Sequence, residues 1–230
     1  MLKLSLRLSV ITGLIEAGGS VCDVGTDHGY LPAFLYLSGK FSKVTATDIR
    51  QKPLLTAEKN LKALDAKGVK LVLCDGLEKV SRGEADNVVI AGMGGEVISG
   101  IIDRAKFLKD PTVNIVLSPT TSASELRTYL LKNGFETVKE TAVKENGKYY
   151  AVMKVKYTGA VSSPDFAQIY LGKLDLSDKT ALEYAKKQLA IKQKLALDLS
   201  FTDKNRGEYI KAQKICAEIE KKISEAENGA

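Results

Sequence analysis

The sequence has few of the residue types that build metal or disulfide sites. It contains three cysteines and one histidine among 230 residues. An odd number of cysteines without CxxC spacing favours free thiols in a reducing compartment and argues against structural zinc. The single histidine, His28, leaves no partner for a histidine dyad or a histidine-based metal cluster. We therefore expect no metal and a cytoplasmic location.

Long apolar runs are also missing. No hydrophobic stretch approaches the length of a membrane span, so we expect no membrane association. Ser9, Thr12 and Gly13 dilute the apolar run near the N-terminus, which favours an amphipathic helix over a signal sequence. With 44% hydrophobic residues, the chain can bury one substantial core plus a small helical module.

What the sequence does contain is a series of short apolar runs spaced for alternating strands and helices. Nearly continuous runs of this kind are typical of strands that helices cover on both faces. The first begins at Val21, and the others span 43–49, 69–76, 86–95 and 113–119. Two further strands, at 135–144 and 149–157, flank an Asn146-Gly147 pair, which is a strong hairpin signal. We predict a Rossmann-like α/β fold whose mostly parallel sheet ends in an antiparallel hairpin.

Two helices between these strands have recognisable ends. A helix with apolar residues at three- and four-residue steps should stop at Gly68. Its apolar positions are Leu54, Leu55, Ala57, Leu61 and Leu64. Farther on, Ser122 and Glu125 have the spacing of a capping box at a helix start, and Gly134 should close that helix.

The composition changes after Tyr157. Gly159, Ser162, Ser163 and Pro164 indicate a linker. Two apolar stripes follow at helical spacing, with residues 200–207 between them. They comprise Leu182, Ala185, Leu189, Ala196 and Leu199, then Ala212, Ile215, Ile219 and Ile223. We predict a domain over 1–158 and a C-terminal helical domain over 159–230, folded as a hairpin of coiled-coil type.

The bend after the first predicted strand contains two glycines, two acidic residues and the histidine. They are Gly25 and Gly29, Asp23 and Asp27, and His28. In open α/β sheets, ligands bind beyond the carboxyl ends of the strands, where glycines let the backbone approach them. From Gly25 the sequence reads Gly-Thr-Asp-His-Gly, which differs from the Gly-x-Gly-x-x-Gly fingerprint of dinucleotide sites. A closely held pyrophosphate is therefore not the favoured ligand.

Acidic residues end the next two predicted strands. Asp48 lies roughly 20 residues beyond the first turn, where a carboxylate can accept hydrogen bonds from both hydroxyls of a ribose. Asp75 can accept a hydrogen bond from the amino group of an adenine, and Gly76, which has no side chain, leaves room for the adenine ring. Asp23 and Asp48 have an alternative interpretation as turn or helix-cap residues. Their joint occurrence at successive strand ends favours a nucleoside pocket.

Several segments match the motifs of one known family. The longest runs from Asp23 to Pro32 and reads Asp-Val-Gly-Thr-Asp-His-Gly-Tyr-Leu-Pro. Shorter ones are Leu-Ser-Leu-Arg-Leu at 4–8, Asp-Gly-Leu at 75–77 and Ala-Gly-Met-Gly-Gly at 91–95, with further likeness at 126–127 and 147–150. Over roughly residues 4–156 the chain resembles bacterial tRNA adenine-N1 methyltransferases that modify nucleotide 22 of the D loop.

This resemblance implies a class I methyltransferase domain that uses S-adenosylmethionine (S-adenosyl-L-methionine) to methylate tRNA. It also implies that Arg7 reaches the carboxylate of the methyl donor. The other implied donor contacts are Asp23, Gly25, Thr26, His28, Asp48, Ile49, Asp75, Gly76, Ala91, Gly92, Met93 and Gly94. The family has a comparable C-terminal helical segment, and the resemblance implies that this segment helps to bind the tRNA. The alternative is that the helices only pack against the first domain or keep the protein in solution.

Methylation of adenine N1 needs no strong base, because the lone pair of N1 is mostly unprotonated at neutral pH. Positioning and stabilisation of the positive charge that develops on the ring then carry catalysis. We expect Asp27 to accept a hydrogen bond from the exocyclic amino group; the alternative is a helix cap for the segment that begins near Tyr30. Tyr30, Pro119 and Thr120 are the predicted substrate-binding residues, although core packing explains Tyr30 and Pro119 equally well.

Three alternatives remain open at this stage. Ser118-Pro119-Thr120 replaces the Gln-Pro-Asn common in the family, so a small molecule or a protein stays possible as methyl acceptor. A nicotinamide-dependent oxidoreductase and a non-catalytic RNA-binding domain also fit the fold.

The formal net charge of +6 suits a phosphate-rich partner. Lys3, Arg7, Arg50, Lys52 and Arg127 lie near the site in sequence, and we expect a monomer.

Overall fold

The computed structural model describes residues 2–200 and 206–229. Its sheet consists of β1 (Ser20–Val24), β2 (Lys43–Asp48), β3 (Val69–Leu73), β4 (Asn87–Ala91), β5 (Asn114–Ser118), β6 (Phe135–Glu145) and β7 (Lys148–Tyr157). The strand order is β3-β2-β1-β4-β5-β7-β6. The first five strands pair in parallel, and β7 is antiparallel to both of its neighbours. The predicted α/β fold with an antiparallel end is confirmed.

Helices cover both faces of the sheet. They are α1 (Leu6–Leu14), α2 (Tyr30–Leu37), α3 (Gln51–Ala63), α4 (Gly95–Arg104), α5 (Ala123–Lys132), α6 (Phe166–Tyr170), α7 (Lys179–Ser200) and α8 (Arg206–Asn228). On one face, Ile11 of α1 and Leu35 of α2 pack with Val116 of β5. On the other, Ile98 of α4 packs with Ile115 of β5. Burial on both faces explains why these strands are continuous apolar runs and not alternating ones.

The strand order reverses between β1 and β4, which is the topological switch point of the sheet. From β1 the chain moves outward through β2 to β3, and it then returns to the other side of β1 at β4. Loops that follow strands on the two sides of such a point diverge and leave a crevice at the carboxyl edge. The bend after β1 therefore opens into this crevice.

The β6–β7 hairpin extends beyond the carboxyl edge of the sheet. Asn146 and Gly147 form its turn with φ values of 50° and 74°, the left-handed pair that a two-residue type I′ turn requires. The register pairs β5 with β7 through residues 153–155. The first four residues of β7, from Lys148, therefore lie past the end of β5, a distance of roughly 13 Å at the usual rise of a strand. We call residues 144–151 the hairpin tip.

Two local predictions are wrong. Ser122 has φ 53° and ψ 38° and its side chain makes no capping hydrogen bond, so the predicted capping box with Glu125 does not form. The Ser124 hydroxyl instead donates to the Glu125 carboxylate at 2.8 Å. Helix α3 ends at Ala63 and not near Gly68, because the chain turns into a left-handed conformation at Asp65, with φ 56°.

The C-terminal helices form the predicted antiparallel hairpin. Lys186 pairs with Glu227 at 2.6 Å, and the Gln193 amide donates to Glu220 at 2.9 Å, so residues early in α7 face residues late in α8. The short helix α6, which the sequence did not reveal, packs on this pair. The link between α7 and α8 lies outside the described residues, and the domain boundary at 158/159 stays a prediction. Among the described residues, every helix is too short or too polar to cross a membrane.

Candidate functional site

A cavity of about 660 Å³ opens at the carboxyl edge beside the switch point. It brings together most of the predicted site residues from five separate segments of the chain. Those lining it are Arg7, Asp23, Gly25, Thr26, Asp27, His28, Tyr30, Asp48, Ile49, Asp75, Gly76, Ala91, Gly92 and Met93. Gly94, Pro119 and Thr120 do not line it. Arg50, Val97 and Ile101 also line the cavity, and of these only Arg50 was expected near the site, for its charge.

The bend after β1 is closed onto β2. The backbone N–H groups of Gly25 and Thr26 donate to the Thr47 carbonyl at 2.8 and 2.9 Å. These two donors are therefore used within the fold and do not face the cavity as free groups. Gly25 has φ 79°, and a Cβ atom there would collide with the methyl group of Met93. The turn thus needs glycine for its conformation, whereas the flexible end of the Met93 side chain can move away from an added Cβ atom.

Asp23 lies at the buried floor of the cavity, with 7% of its surface exposed. Burial raises the pKa of its carboxyl from 3.8 to about 6; the Thr26 hydroxyl opposes this shift, and the neighbouring Asp48 carboxylate adds to it. Desolvation disfavours the charged form until a positive or hydrogen-bond-donating group arrives. Asp23 is therefore suited to a ligand that carries such a group.

Asp48 has a structural role and also faces the cavity. Its Oδ1 atom accepts the Arg50 backbone N–H at 2.7 Å, which forms the turn into α3. The Arg50 guanidinium lies 3.7 Å from the same oxygen. The turn interpretation of Asp48 is thus correct for one carboxylate oxygen. Among the described residues, Oδ2 has no hydrogen-bond partner, so it is available to a ligand.

The loop after β3 carries Asp75 and Gly76. The Oδ1 atom of Asp75 pairs with Nη2 of Arg104 at 2.9 Å, and 42% of the Asp75 side chain remains exposed. Gly76 has φ 56°, and a Cβ atom there would lie 2.9 Å from Ile101. The Thr47 hydroxyl donates to the Gly76 carbonyl at 2.9 Å and ties this loop to β2. This loop is therefore held against β2 on one side and lies close to Ile101 of α4 on the other.

Asp27, His28 and Tyr30 lie at the exposed rim. Nε2 of His28 is 3.3 Å from Oδ2 of Asp27, whose side chain is 67% exposed. The rings of His28 and Tyr30 stack with centroids 5.8 Å apart. Gly29 is the N-cap of α2, and among the described residues no side chain caps this end of the helix with a hydrogen bond. The helix-cap interpretation of Asp27 is therefore wrong, and its carboxylate faces the entrance.

Gly94, Pro119 and Thr120 lie behind the cavity wall. The loops after β4 and β5 are joined by hydrogen bonds from Gly92 N–H to the Ser118 carbonyl at 3.1 Å and from Thr120 N–H to the Met93 carbonyl at 2.8 Å. Gly94 is the N-cap of α4. Pro119 is buried and Thr120 is exposed. Pro119 therefore packs in the protein, and contact of either residue with a substrate stays a prediction.

Arg127 lies in a different place from the one that its position in the sequence suggested. It is 2% exposed and takes no part in lining the cavity. Its guanidinium contacts Glu140 at 2.7 Å, at the junction between α5 and β6. Arg127 is a buried structural residue and not part of a basic surface near the site.

The described residues contain no group of three or more histidine, cysteine, aspartate or glutamate side chains placed to hold a metal ion. Cys22, Cys74 and Cys216 are buried free thiols. Burial raises the pKa of the Cys22 thiol well above its usual value. The charged groups that line the cavity are thus carboxylates, Arg7 and Arg50, with His28 at the rim.

Comparisons with known proteins agree with this geometry. A family described as methyltransferase domain matches residues 4–153. The tRNA (adenine(22)-N(1))-methyltransferase of Bacillus subtilis (strain 168) is 34% identical over 153 residues, which are 66% of this chain and 64% of that protein. The aligned region thus spans slightly less than two thirds of this curated relative.

Solved structures match over nearly the whole chain. The crystal structure of the B. subtilis M1A22 tRNA methyltransferase TrmK has a TM-score of 0.84 at 27% identity, covering 97% of this chain and 99% of that one. M. capricolum TrmK in complex with S-adenosyl-homocysteine has a TM-score of 0.80 at 25% identity, covering 96% and 98%. Because the family match covers more than half of the residues, this chain belongs to the methyltransferase domain family.

Proposed function

We propose that the chain transfers a methyl group from S-adenosylmethionine to N1 of an adenine in tRNA, at nucleotide 22 of the D loop. The observation that carries this proposal is the convergence of Asp23, Asp48 and Asp75 on one cavity at the switch point. The names of the B. subtilis relative and of the TrmK structures support the acceptor, and the complex of M. capricolum TrmK supports the donor.

The lining residues suit the parts of an adenosyl amino acid. The free Oδ2 atom of Asp48 would accept hydrogen bonds from the ribose hydroxyls, and Asp75 would accept one from the adenine amino group beside Gly76. The buried Asp23 carboxylate would receive the ammonium group, which relieves the cost of its burial. Arg7 lines the cavity, and its guanidinium would bind the carboxylate; its Nε and Nη1 donors are buried and have no partner among the described residues.

The residues of the chain then have to position the acceptor. S-adenosylmethionine supplies a methyl group on a positively charged sulfur, which needs no activation by the protein. Asp27 would accept a hydrogen bond from the amino group of the target adenine and stabilise the positive charge that the ring gains. Tyr30 lies at the same rim and offers an aromatic surface to the base.

A base inside a folded D loop is stacked, so it must leave the stack to reach the cavity. The exposed Arg50 at the rim and the formal net charge of +6 favour contact with the RNA backbone. The helical hairpin is the second surface that we expect to contact tRNA. A monomer in the cytoplasm remains part of this proposal.

Unmodified tRNA transcripts test the proposed reaction directly. The purified chain should transfer labelled methyl from S-adenosylmethionine to a transcript with adenine at position 22, and mass spectrometry of fragments should find the methyl group on that base. A matched transcript with guanine at position 22 should accept none. Transfer to the guanine transcript at the same rate would refute the assigned nucleotide, and no transfer to any tRNA would favour a binding-only protein.

Calorimetry separates the methyltransferase from the oxidoreductase alternative. Nucleotide-free protein should bind S-adenosylmethionine and S-adenosylhomocysteine, whereas NAD should bind far more weakly because the site lacks the dinucleotide fingerprint. Preferential binding of NAD would overturn the donor assignment.

A further inference from the structure

The hairpin tip contributes side chains to the first helix at the edge of the cavity. Adjacent residues of a strand point to opposite faces of the sheet. The Tyr149 hydroxyl donates to Glu183 of α7 at 2.8 Å, on the side of the helical hairpin. The Tyr150 ring faces the other way, and the Arg7 guanidinium carbon lies 4.5 Å from its centroid. Of these two neighbouring tyrosines, Tyr149 thus contacts the C-terminal helices and Tyr150 contacts α1.

Glu145, also in the hairpin tip, holds the start of α1. Its Oε1 atom accepts the Arg7 backbone N–H at 3.1 Å. Its Oε2 atom lies 3.7 Å from Nε of Arg7, which is close enough for an ion pair but too long for a hydrogen bond. Arg7 is therefore fixed at its backbone and stacked at its guanidinium by residues about 140 positions away in the sequence.

This arrangement leaves hydrogen-bonding capacity in Arg7. Nε and Nη1 are buried and have no hydrogen-bond partner among the described residues. Buried donors are almost always paired in native proteins, and an unpaired one is costly. Arg7 lines the cavity, and the preferred partner of a guanidinium is a planar anion such as a carboxylate.

We propose that Tyr150 and Glu145 are positioning residues that hold Arg7 for the carboxylate of the methyl donor, so that the hairpin tip completes the amino-acid end of the cavity. This inference rests on the proposed function, because it takes the donor to be an adenosyl amino acid. Stacking on Tyr150 fixes the plane of the guanidinium, which would otherwise lose side-chain freedom when the ligand binds.

Calorimetry of the full chain with three ligands tests the inference. S-adenosylmethionine and S-adenosylhomocysteine carry the carboxylate, and decarboxylated S-adenosylmethionine lacks it. Tyr150→Leu should weaken binding of the first two by roughly 3- to 10-fold and leave binding of the third unchanged, since only the Arg7 contact is loosened. Arg7→Met should show the same pattern with a loss of more than about tenfold.

Tyr149→Leu is the matched control, because it removes the adjacent ring from the opposite face; it should leave the affinity for all three ligands unchanged. Tyr150→Phe keeps the ring and should recover most of the affinity. Should Tyr150→Leu fail to fold, Arg7→Lys keeps the charge without the flat stacking group and should give the same ligand-dependent loss.

Two results are decisive against the inference. If Tyr150→Leu weakens the binding of all three ligands equally, the substitution has damaged the cavity in general. If Arg7→Met binds all three ligands as the wild-type chain does, Arg7 makes no contact with the carboxylate. Failure of the wild-type chain to bind any of the three ligands would instead refute the donor assignment of the proposed function.

Discussion

Among the described residues, two of the buried polar clusters differ in how completely their groups are paired. At the junction of α5, β6 and the C-terminal helices, Arg127 donates to Glu140 at 3.0 and 2.7 Å. It also donates to the Ile169 and Tyr170 carbonyls at 3.0 and 3.2 Å and to the Tyr184 hydroxyl at 3.2 Å. At the cavity, two buried donors of Arg7 have no partner within the part of the chain that the structure describes, and burial raises the pKa of Asp23 to about 6.

This difference separates a structural cluster from a binding site. Burial opposes the charge of the Arg127 guanidinium, but the neighbouring Glu140 carboxylate raises its pKa overall, so Arg127 stays charged in the interior. Its partners join the methyltransferase domain to α6 and α7, and a ligand would find no free group there. The cavity differs, because two buried donors of Arg7 have no partner among the described residues and the Asp23 carboxylate carries a charge that burial disfavours.

Breaking the paired cluster should give the largest effect. Arg127→Met would leave the Glu140 carboxylate buried without its cation, which typically costs about 3–5 kcal/mol of unfolding free energy. Urea unfolding followed by circular dichroism measures this loss. Tyr184→Phe removes one of the hydrogen bonds to Arg127 and should cost only about 1 kcal/mol. A change below about 1 kcal/mol for Arg127→Met would show that the cluster is not a structural one.

Asp23 should behave in the opposite way, since the free protein carries its unpaired charge at a cost. Its pKa is about 6 in the folded state and 3.8 ordinarily. Protonation therefore favours the folded state, and stability should fall as the pH rises from about 4 to about 6. Above that range the penalty is at most about 3 kcal/mol.

Asp23→Asn removes this charge and tests the sign. In the absence of ligand, the variant should unfold at a higher temperature than the wild-type chain at pH 8, and its stability should lose the fall between pH 4 and 6. Its affinity for S-adenosylmethionine should drop at the same time. A variant that is less stable at pH 8 would mean that Asp23 is paired in the fold in the same way as Arg127.

The sequence predicted the sheet well because its strands are covered on both faces and therefore read as apolar runs. The Asn146-Gly147 turn was predictable for a local reason, since both residues adopt positive φ values readily. The acids at the ends of β1, β2 and β3 were found because parallel strands bring their carboxyl ends to one edge.

The failures share a cause, which is that long-range partners are invisible in a single sequence. Arginine is usually a surface residue, so the burial of Arg127 could not be predicted from its type. Its hydrogen-bond partners lie between 13 and 57 positions away and are Glu140, Ile169, Tyr170 and Tyr184. Ser122 and Glu125 have capping-box spacing, yet the bond from Gly95 N–H to the Thr121 carbonyl holds the chain before α5 against the start of α4. The contact of Tyr150 with Arg7 is similarly long-range, although the Gly-Lys-Tyr-Tyr segment was recognised as a family motif.

Asp27 differs from the buried groups of the cavity, because its carboxylate is exposed at the rim and needs no ligand to compensate its charge. Asp27→Asn should lower the rate of methyl transfer about tenfold, or about 1.4 kcal/mol in the activation free energy, by weakening stabilisation of the positive adenine ring. Binding of S-adenosylmethionine should stay close to that of the wild-type chain. Single-turnover methylation of the tRNA transcript and calorimetry with the donor measure the two quantities.

Asp48→Ala is the matched control, since it removes a carboxylate of the same size from the donor side of the same cavity. Loss of charge-assisted hydrogen bonds to the ribose should cost roughly 1.5–3 kcal/mol, a tenfold or larger loss in donor affinity. The single-turnover rate at saturating donor should then change less than it does in Asp27→Asn. If Asp27→Asn also loses donor affinity to the same degree, Asp27 belongs with Asp23 and Asp48 among the donor-binding groups, and the exposed rim holds no separate acceptor contact.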